Sequence, residues 1–360
     1  MKTGEEPEQV AGGNLGKRIG IPLILLAVIL LCVWAGMRFT NRSGFEFWNE
    51  SSAALAELRD YVHAVTDKSS PDYIPEKDRI AVFDMDGTLY GEKAPIYIDW
   101  WLLKYRALED PLYAAPEDIR ATAEKIVLAG QTGKIPEELE MEHAQAAAKA
   151  FAGMTLDEYR AYVTAFILKE AEGFEGLTYA GAWYLPMLEV VDYLNENGFT
   201  VYICSGTERF LCRILAEGMV DIPEERIIGM DVRLEASGQD GCDGLEYAYT
   251  AQDRVVRTDE LLVKNVNANK VAQIAQEIGR QPVLSFGNSS GDQSMAMYVT
   301  SGNPYRSAVF MLVADDEERE YGNRERAAAM REKWEDFGWN VISMRDDFLT
   351  IYGDDVTRKP

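Results

Sequence analysis

The sequence predicts an α/β protein: a parallel sheet covered by helices on both faces, interrupted by a helical insertion and preceded by a membrane-spanning helix. Three observations predict it. Short apolar strand signals at 79–83, 200–204, 226–234, 282–286, 308–313 and 340–343 alternate with helical periodicity at 209–218, 270–279 and 324–337, the pattern by which parallel strands are connected. Between the first two of those strands, residues 95–198 give almost only helical signals. Ahead of everything, residues 19–37 (IGIPLILLAVILLCVWAGM) carry no charge.

That apolar run is long enough to cross a hydrocarbon core of ~30 Å as a helix. Pro22 falls near its start, where a helix tolerates proline. A cleaved signal peptide is the competing reading, with Val33-Trp34-Ala35 as a small-residue cleavage site. The preceding tail, 1–18, holds Glu5, Glu6 and Glu8, unlike a compact basic n-region, and this favours a retained anchor. A soluble buried helix would show a polar face. Lys2, Lys17 and Arg18 before the run outnumber Arg38 and Arg42 after it, which places the large C-terminal part outside the cytoplasm. Cleavage would make the protein secreted.

Residues 38–78 read as a helix and linker: Phe47, Trp48, Leu55, Leu58, Tyr61 and Val62 recur at helical spacing, then Pro71 and Pro75 punctuate a polar stretch. The catalytic core is assigned to 79–90 and 182–360, and the insertion to 91–181. Helices of the insertion are expected at 100–108, 116–128, 136–151 and 156–171; another, at 185–197, ends at Gly198, as helices commonly do. A further strand is expected at 245–250, making a hairpin over 232–249.

The formal net charge is -24, from 36 Lys plus Arg against 60 Asp plus Glu. So acidic a surface repels phosphate backbones and argues against a nucleic acid partner. The 4 Cys do not make a disulfide scaffold, and 2 His are too few for an imidazole metal cage. Two glycine-bearing stretches carry no function. Residues 130–135 end in Ile135 where a phosphate-binding loop needs Ser or Thr. Gly238, Gly241 and Gly244 suit a hairpin turn, not a dinucleotide loop.

The chemistry gathers at Asp84-Met85-Asp86-Gly87-Thr88, where the first strand ends. Side chains alternate along a strand, so Asp84 and Asp86 point the same way. Two carboxylates so close repel each other and want a divalent cation, and oxygen ligands select a hard ion such as Mg²⁺. One carboxylate can attack phosphorus while the other hands a proton to the leaving group and later takes one from water. Gly87 permits the sharp departure from the strand.

Three later stretches complete the arrangement. Ser205-Gly206-Thr207 ends a strand and leads into a helix, so Ser205 and the amides at that helix start can hold phosphate oxygens. Lys270 opens a helix and can neutralise a transferring phosphoryl group. Gly287-Asn288-Ser289-Ser290-Gly291-Asp292 follows a third strand with oxygen ligands. All of them at strand ends or helix starts share one crevice above the sheet.

In that order the stretches resemble the motifs of the haloacid dehalogenase-like phosphatase superfamily: FDMDGT its first, CSGT its second, Lys270 its third and GNSSGD its fourth. The resemblance covers about residues 79–345, and the insertion is similar to that family's helical cap. The hairpin looks most like the phosphoserine phosphatase branch. The resemblance implies a Rossmann-like core of the haloacid dehalogenase type, with Asp84 as nucleophile and Asp86 as general acid and base. It implies Gly87, Thr88, Ser205, Gly206 and Lys270 around the phosphate. It implies Mg²⁺ held by Asp84, the carbonyl of Asp86 and the fourth motif, from Asn288 and Asp292. That motif departs from the usual pattern, since Asn288 stands where Asp is commonest. Lys264 is the rival for the third-motif lysine; Lys270 is preferred because it starts a helix. Dehalogenases of the superfamily lack a second aspartate such as Asp86, and its transport ATPases have Lys in place of Met85. The implied activity is Mg-dependent hydrolysis of a small phosphomonoester through an aspartyl-phosphate. A phosphomutase, or an idle membrane-anchored binding module, is the alternative.

Substrate choice is expected of the insertion. Tyr97, Trp101 and Tyr105 recur every four residues on one helix face. That face suits packing within the cap or, alternatively, a cation–π surface for a quaternary ammonium such as choline. Glu92 and Arg106 are candidates for the charged groups of an amino acid, as in phosphoserine. His143 is expected on a helix surface.

Overall fold

The computed structural model describes residues 44–92 and 96–360. The apolar run at 19–37 lies outside the described residues, and among these no helix is long and apolar enough to cross a membrane. The described residues fall in one compact unit, Ser43–Pro360.

The strands are β1 (Ile80–Phe83), β2 (Phe174–Glu175), β3 (Thr200–Glu208), β4 (Ile227–Ala236), β5 (Val255–Val263), β6 (Leu284–Gly287), β7 (Ala308–Val313), β8 (Asn340–Ser343) and β9 (Thr357–Arg358). A 7-stranded sheet runs in the order β5-β4-β3-β1-β6-β7-β8. From β4 to β8 its neighbours are parallel, and β5 closes the edge antiparallel to β4. β2 and β9 form a small antiparallel pair of their own.

The helices are α1 (Ala53–Thr66), α2 (Ile98–Lys104), α3 (Glu117–Thr132), α4 (Leu139–Ala150), α5 (Leu156–Ile167), α6 (Leu185–Glu196), α7 (Arg209–Ala216), α8 (Ala268–Glu277), α9 (Gln293–Thr300), α10 (Arg324–Asp336) and α11 (Met344–Asp347). Helices α2 to α5 make up the insertion, and α2 continues into a wide turn at Tyr105–Glu109. The family-type α/β core that the sequence predicts is therefore present.

Every residue of β1 is buried, as expected of a strand covered on both faces. Phe83 pairs with Ile203 of β3 on one side and Phe286 of β6 on the other. The Phe83 and Phe286 rings stack at 4.1 Å. This register sets the ends of β1 and β6 nearly level beside Ile203 of β3, which runs on to its own end at Glu208. Because the chain leaves β1 toward β3 and returns at β6 on its other side, a crevice opens beyond those three ends.

Two local expectations are corrected. The strand expected at 245–250 is a loop, and β5 supplies the second strand of the antiparallel pair. Asp253 explains the loop: its carboxylate accepts the amide of Gly238 at 2.9 Å, the amide of Thr250 at 2.7 Å and the hydroxyl of Tyr247 at 2.9 Å. The helix expected within 38–78 forms and is packed on the core. In α1, Leu55, Leu58, Tyr61, Val62 and Val65 are buried, and the Tyr61 hydroxyl donates to the carbonyl of Val283 at 3.0 Å. β3 runs past Cys204 to Glu208, carrying the second motif on the strand itself.

Edge strand β5 also holds the insertion. The amide of Gly153 donates to the Arg257 carbonyl at 2.7 Å, and the amide of Arg257 donates to Met154 at 2.9 Å. The buried Arg257 guanidinium lies 3.9 Å from the Tyr159 ring centre of α5 and 2.8 Å from Glu208 Oε1.

Candidate active site

The loop after β1 is tightly wound. The amide of Asp84 continues the ladder by donating to Phe286 at 2.9 Å, and the amides of Leu89 and Tyr90 both donate to the Met85 carbonyl. Gly87 has φ +80, and a Cβ there would stand 1.9 Å from Asn288 Nδ2. Only glycine meets both demands. The first motif thus lies directly against the fourth.

Lys270 reaches the end of β1 from the start of α8. Its buried ammonium lies 2.6 Å from Asp84 Oδ1 and 2.6 Å from Asp292 Oδ1. The other Asp292 oxygen accepts the amides of Asn288 at 3.1 Å and Ser289 at 3.0 Å. One carboxylate therefore shapes the fourth-motif loop and pins the lysine. Lys264 is elsewhere, donating to the Gly206 carbonyl at 2.9 Å, so Lys270 is the lysine that meets Asp84.

Asp86 is oriented by the second motif. Its Oδ2 accepts from Thr207 Oγ1 at 2.8 Å and from Ser205 Oγ at 3.3 Å. Its Oδ1 is buried without a hydrogen-bond partner among the described residues. Asn265 fixes the turn by donating to the Ser205 carbonyl at 2.9 Å. Thr207 and Asn265 were not singled out from sequence. For Thr207 the signal was there: a hydroxyl two residues beyond Ser205 on one strand shares its face.

Burial, then the Asp292 charge, pushes the Asp84 carboxyl well above the usual range, although Lys270 opposes this. Burial, then the Asp99 charge, pushes Asp86 up to about 7. Lys270 is held above the ordinary lysine range, because Asp292 and Asp84 outweigh its burial. Two buried carboxylates thus share one ammonium beside a third acid, Asp86, a deficit that a divalent cation would remedy. The all-oxygen donor set of Asp84, Asn288 and Asp292, with the main-chain carbonyl of Asp86, fits a hard ion such as Mg²⁺. Asp84, Asp86, Asp292 and Asn288 are the residues to hold it. Asn288 would offer its carbonyl, since its amide nitrogen donates to Glu92 at 3.2 Å. Among the described residues, no three His, Cys, Asp or Glu side chains are already drawn into a coordinating cluster.

A cavity of about 230 Å³ opens over these groups, lined by Asp84, Asp86, Gly206, Lys270, Asn288 and Asp292. Ser205 is buried behind Asp86. Gly87 and Thr88 support the loop of Asp84 instead of lining the cavity: the Gly87 amide donates to Tyr90, and Thr88 Oγ1 stands 3.4 Å from Asp84 Oδ2.

From the insertion come Tyr97, Asp99, Trp100 and Glu140, with Glu92 ahead of it. The expected aromatic face does not form as one surface. Tyr97 lines the cavity, but Trp101 lies beneath Lys104, and Tyr105 packs on Tyr162 and Phe166. The first turn of α2 faces the site while its last turn enters the insertion's own core. Arg106 is likewise held away, 2.8 Å from Asp110 and against the Tyr113 ring. His143 is not on a surface. It is fully buried, stacks on Trp100 at 5.2 Å, and burial depresses its pKa to about 3. Asp99 was not singled out, because an acid in a helix's first turn reads as an ordinary capping charge.

Residues 81–297 match the model of the haloacid dehalogenase-like hydrolase family, and the chain belongs to that family. The expectation of a hydrolase of this superfamily is met. A protein of Anaerococcus prevotii, described as conserved and functionally unknown, is similar in fold: TM-score 0.50, 14% identity, 82% of this chain and 92% of that one covered. Cytosolic 5'-nucleotidase IIIB bound to cytidine matches at TM-score 0.48, 12% identity, covering 81% and 85%. A phosphoserine phosphohydrolase-like protein from Francisella tularensis matches at TM-score 0.39, 17% identity, covering 70% and 92%. These likenesses concern the fold. No curated protein matches the sequence significantly.

Proposed function

We propose that this hydrolase cleaves small phosphomonoesters by transferring the phosphoryl group to Asp84. The observation that carries the reading is the pairing of roles at the end of β1. Asp84 is held by Lys270 at 2.6 Å, and Asp86, raised to about 7, is aimed by Thr207 at 2.8 Å.

A carboxylate oxygen of Asp84 attacks phosphorus and the ester P–O bond breaks. The departing alkoxide takes the proton of Asp86. Asp86, now a carboxylate, accepts a proton from water as that water attacks the phosphorus, and the bond to Asp84 breaks. Lys270 balances charge on Asp84 and the transferring oxygens. Bound Mg²⁺ would supply the remaining positive charge for the phosphoryl oxygens and for the crowded carboxylates. The small cavity favours a compact ester, and the helical insertion between β1 and β3 supports a phosphoserine-phosphatase-like branch. The apolar run at 19–37 supports a single-pass anchor with the catalytic part outside the cytoplasm.

Hydrolysis of p-nitrophenyl phosphate and of a phosphomonoester panel, with and without EDTA, tests the reading. Activity should require Mg²⁺ and vanish in Asp84→Asn. Full activity in EDTA, or in Asp84→Asn, would refute it.

A further inference from the structure

One wall of the cavity comes from the insertion. Asp99, in the first turn of α2, lines it and is 5% exposed. Among the described residues neither of its carboxylate oxygens has a hydrogen-bond partner. Burying a carboxylate without partners is costly, and such groups are ordinarily neutralised by a counter-charge.

The neighbouring groups do not provide one. His143 Nδ1 lies 3.9 Å from Asp99 Oδ2, but burial keeps that imidazole neutral. Lys264, the cation nearest in effect, donates to the Gly206 carbonyl at 2.9 Å and stands 3.9 Å from Glu140. Its positive charge moderates the upward pressure of burial, leaving Asp99 at about 6. The group is therefore mostly ionised at neutral pH, in the wall of the catalytic cavity. Glu92 differs, since it takes the amide of Asn288 at 3.2 Å. Tyr97 and Trp100 line the same cavity, and aromatic rings attract cations.

We propose that Asp99 selects the substrate by taking the ammonium group of a phosphomonoester that carries a positively charged amine close to its ester oxygen. This rests on the phosphatase reading above and adds the substrate class. The bound ammonium becomes the missing partner of the carboxylate. The cavity, about 230 Å³, suits a compact ester such as a phosphorylated amino alcohol.

The test compares two probes of nearly equal size on the full chain: O-phosphoethanolamine, with an ammonium, and propyl phosphate, without one. A charge-assisted contact of this kind is worth ~10-fold or more. Wild type should favour O-phosphoethanolamine by that factor in kcat/KM, mainly through KM. In Asp99→Asn the ratio between the probes should fall toward one, and Asp99→Glu should restore part of it. Asp99→Asn should melt no lower than wild type, since it removes a buried charge, so a lost preference is not lost folding.

Calorimetric titration of the Asp84→Asn protein with both probes reads the preference without turnover. An absence of hydrolysis with a clear ammonium preference in binding would sink the phosphatase reading and leave Asp99 in its role. Equal binding of both probes, or a preference retained in Asp99→Asn, would overturn the role of Asp99. O-phosphoserine and phosphocholine divide the amine class further: a gain with phosphoserine assigns the extra carboxylate to Lys264, and rejection of phosphocholine assigns Asp99 a primary ammonium.

Discussion

The Lys270 ammonium lies 2.6 Å from Asp84 Oδ1, both groups buried where β1 ends. The lysine therefore acts as a fixed counter-charge to Asp84, and its removal leaves Asp84 and Asp292 facing each other. Lys270→Met should lower stability by about 3–5 kcal/mol, the usual effect of breaking a buried pair, and turnover by ~10²–10³. Thermal melting and p-nitrophenyl phosphate kinetics check both. Near-normal turnover would show that Asp84 needs no such partner.

Gly87 and Gly133 separate backbone strain from the close approach of two motifs. Both have positive φ, but a Cβ at Gly87 meets Asn288 at 1.9 Å while one at Gly133 meets nothing within 4 Å. Each alanine variant should cost about 1 kcal/mol in backbone strain. Gly87→Ala should in addition displace Asn288 and reduce kcat at least ~10-fold, whereas Gly133→Ala should leave kcat unchanged. Steady-state kinetics on the pair decides this.

The raised carboxyl groups set the pH response. Asp84 and Asp86 bind protons more tightly folded than unfolded. Their stabilisation is therefore complete below the unfolded pKa near ~4 and is lost as pH rises through about 7 and above. The metal-free protein should melt at progressively lower temperature from about pH 5 to about pH 8. Mg²⁺ should raise the melting temperature more at the upper end. Asp86→Asn should flatten the profile. A metal-free profile that rises over this interval would contradict the burial assigned to the pair. Lys270, held above its usual range, contributes across the whole interval and loses its stabilisation only at strongly alkaline pH.

Asn288 tests the fourth motif. A second acid there would add a charge for Mg²⁺, but the side chain at this position donates to Glu92 at 3.2 Å, and an aspartate would repel it. Asn288→Asp alone should therefore tighten Mg²⁺ only weakly. Asn288→Asp combined with Glu92→Gln should lower the Mg²⁺ concentration for half-maximal rate several-fold. Asp292→Ala should cost far more than either, because it frees both Lys270 and the loop. Metal titrations of these proteins show whether Glu92 is the restraint. An unchanged Mg²⁺ requirement in the first two and a mild Asp292→Ala would place the metal away from this loop.

The residues legible in the sequence are those whose placement follows from local geometry. Asp84 and Asp86 share a face because strands alternate, and Ser205, Lys270 and Asp292 fall at strand ends or helix starts that the hydropathy pattern marks. β5 was not legible: Val255–Val263 carries Arg257, Asp259 and Glu260, and an edge strand with one open face does not look like a core strand. The strand expected at 245–250 failed for the converse reason, since Asp253 gathers that apolar stretch into a loop. Asp99 and His143 depend on how α2 and α4 meet, and spacing within one helix does not report that. The four-residue recurrence of Tyr97, Trp101 and Tyr105 was real, but it spans the boundary between the cavity wall and the insertion's core.

Acid quench of the enzyme during turnover, followed by peptide mass spectrometry, tests the central claim most directly. A single phosphoryl group should be found on Asp84, and it should accumulate in Asp86→Asn, where hydrolysis of the intermediate is slowed ~10²–10⁴ fold. Phosphate on another residue, or sustained turnover with Asp84 unmodified in both proteins, would contradict the account.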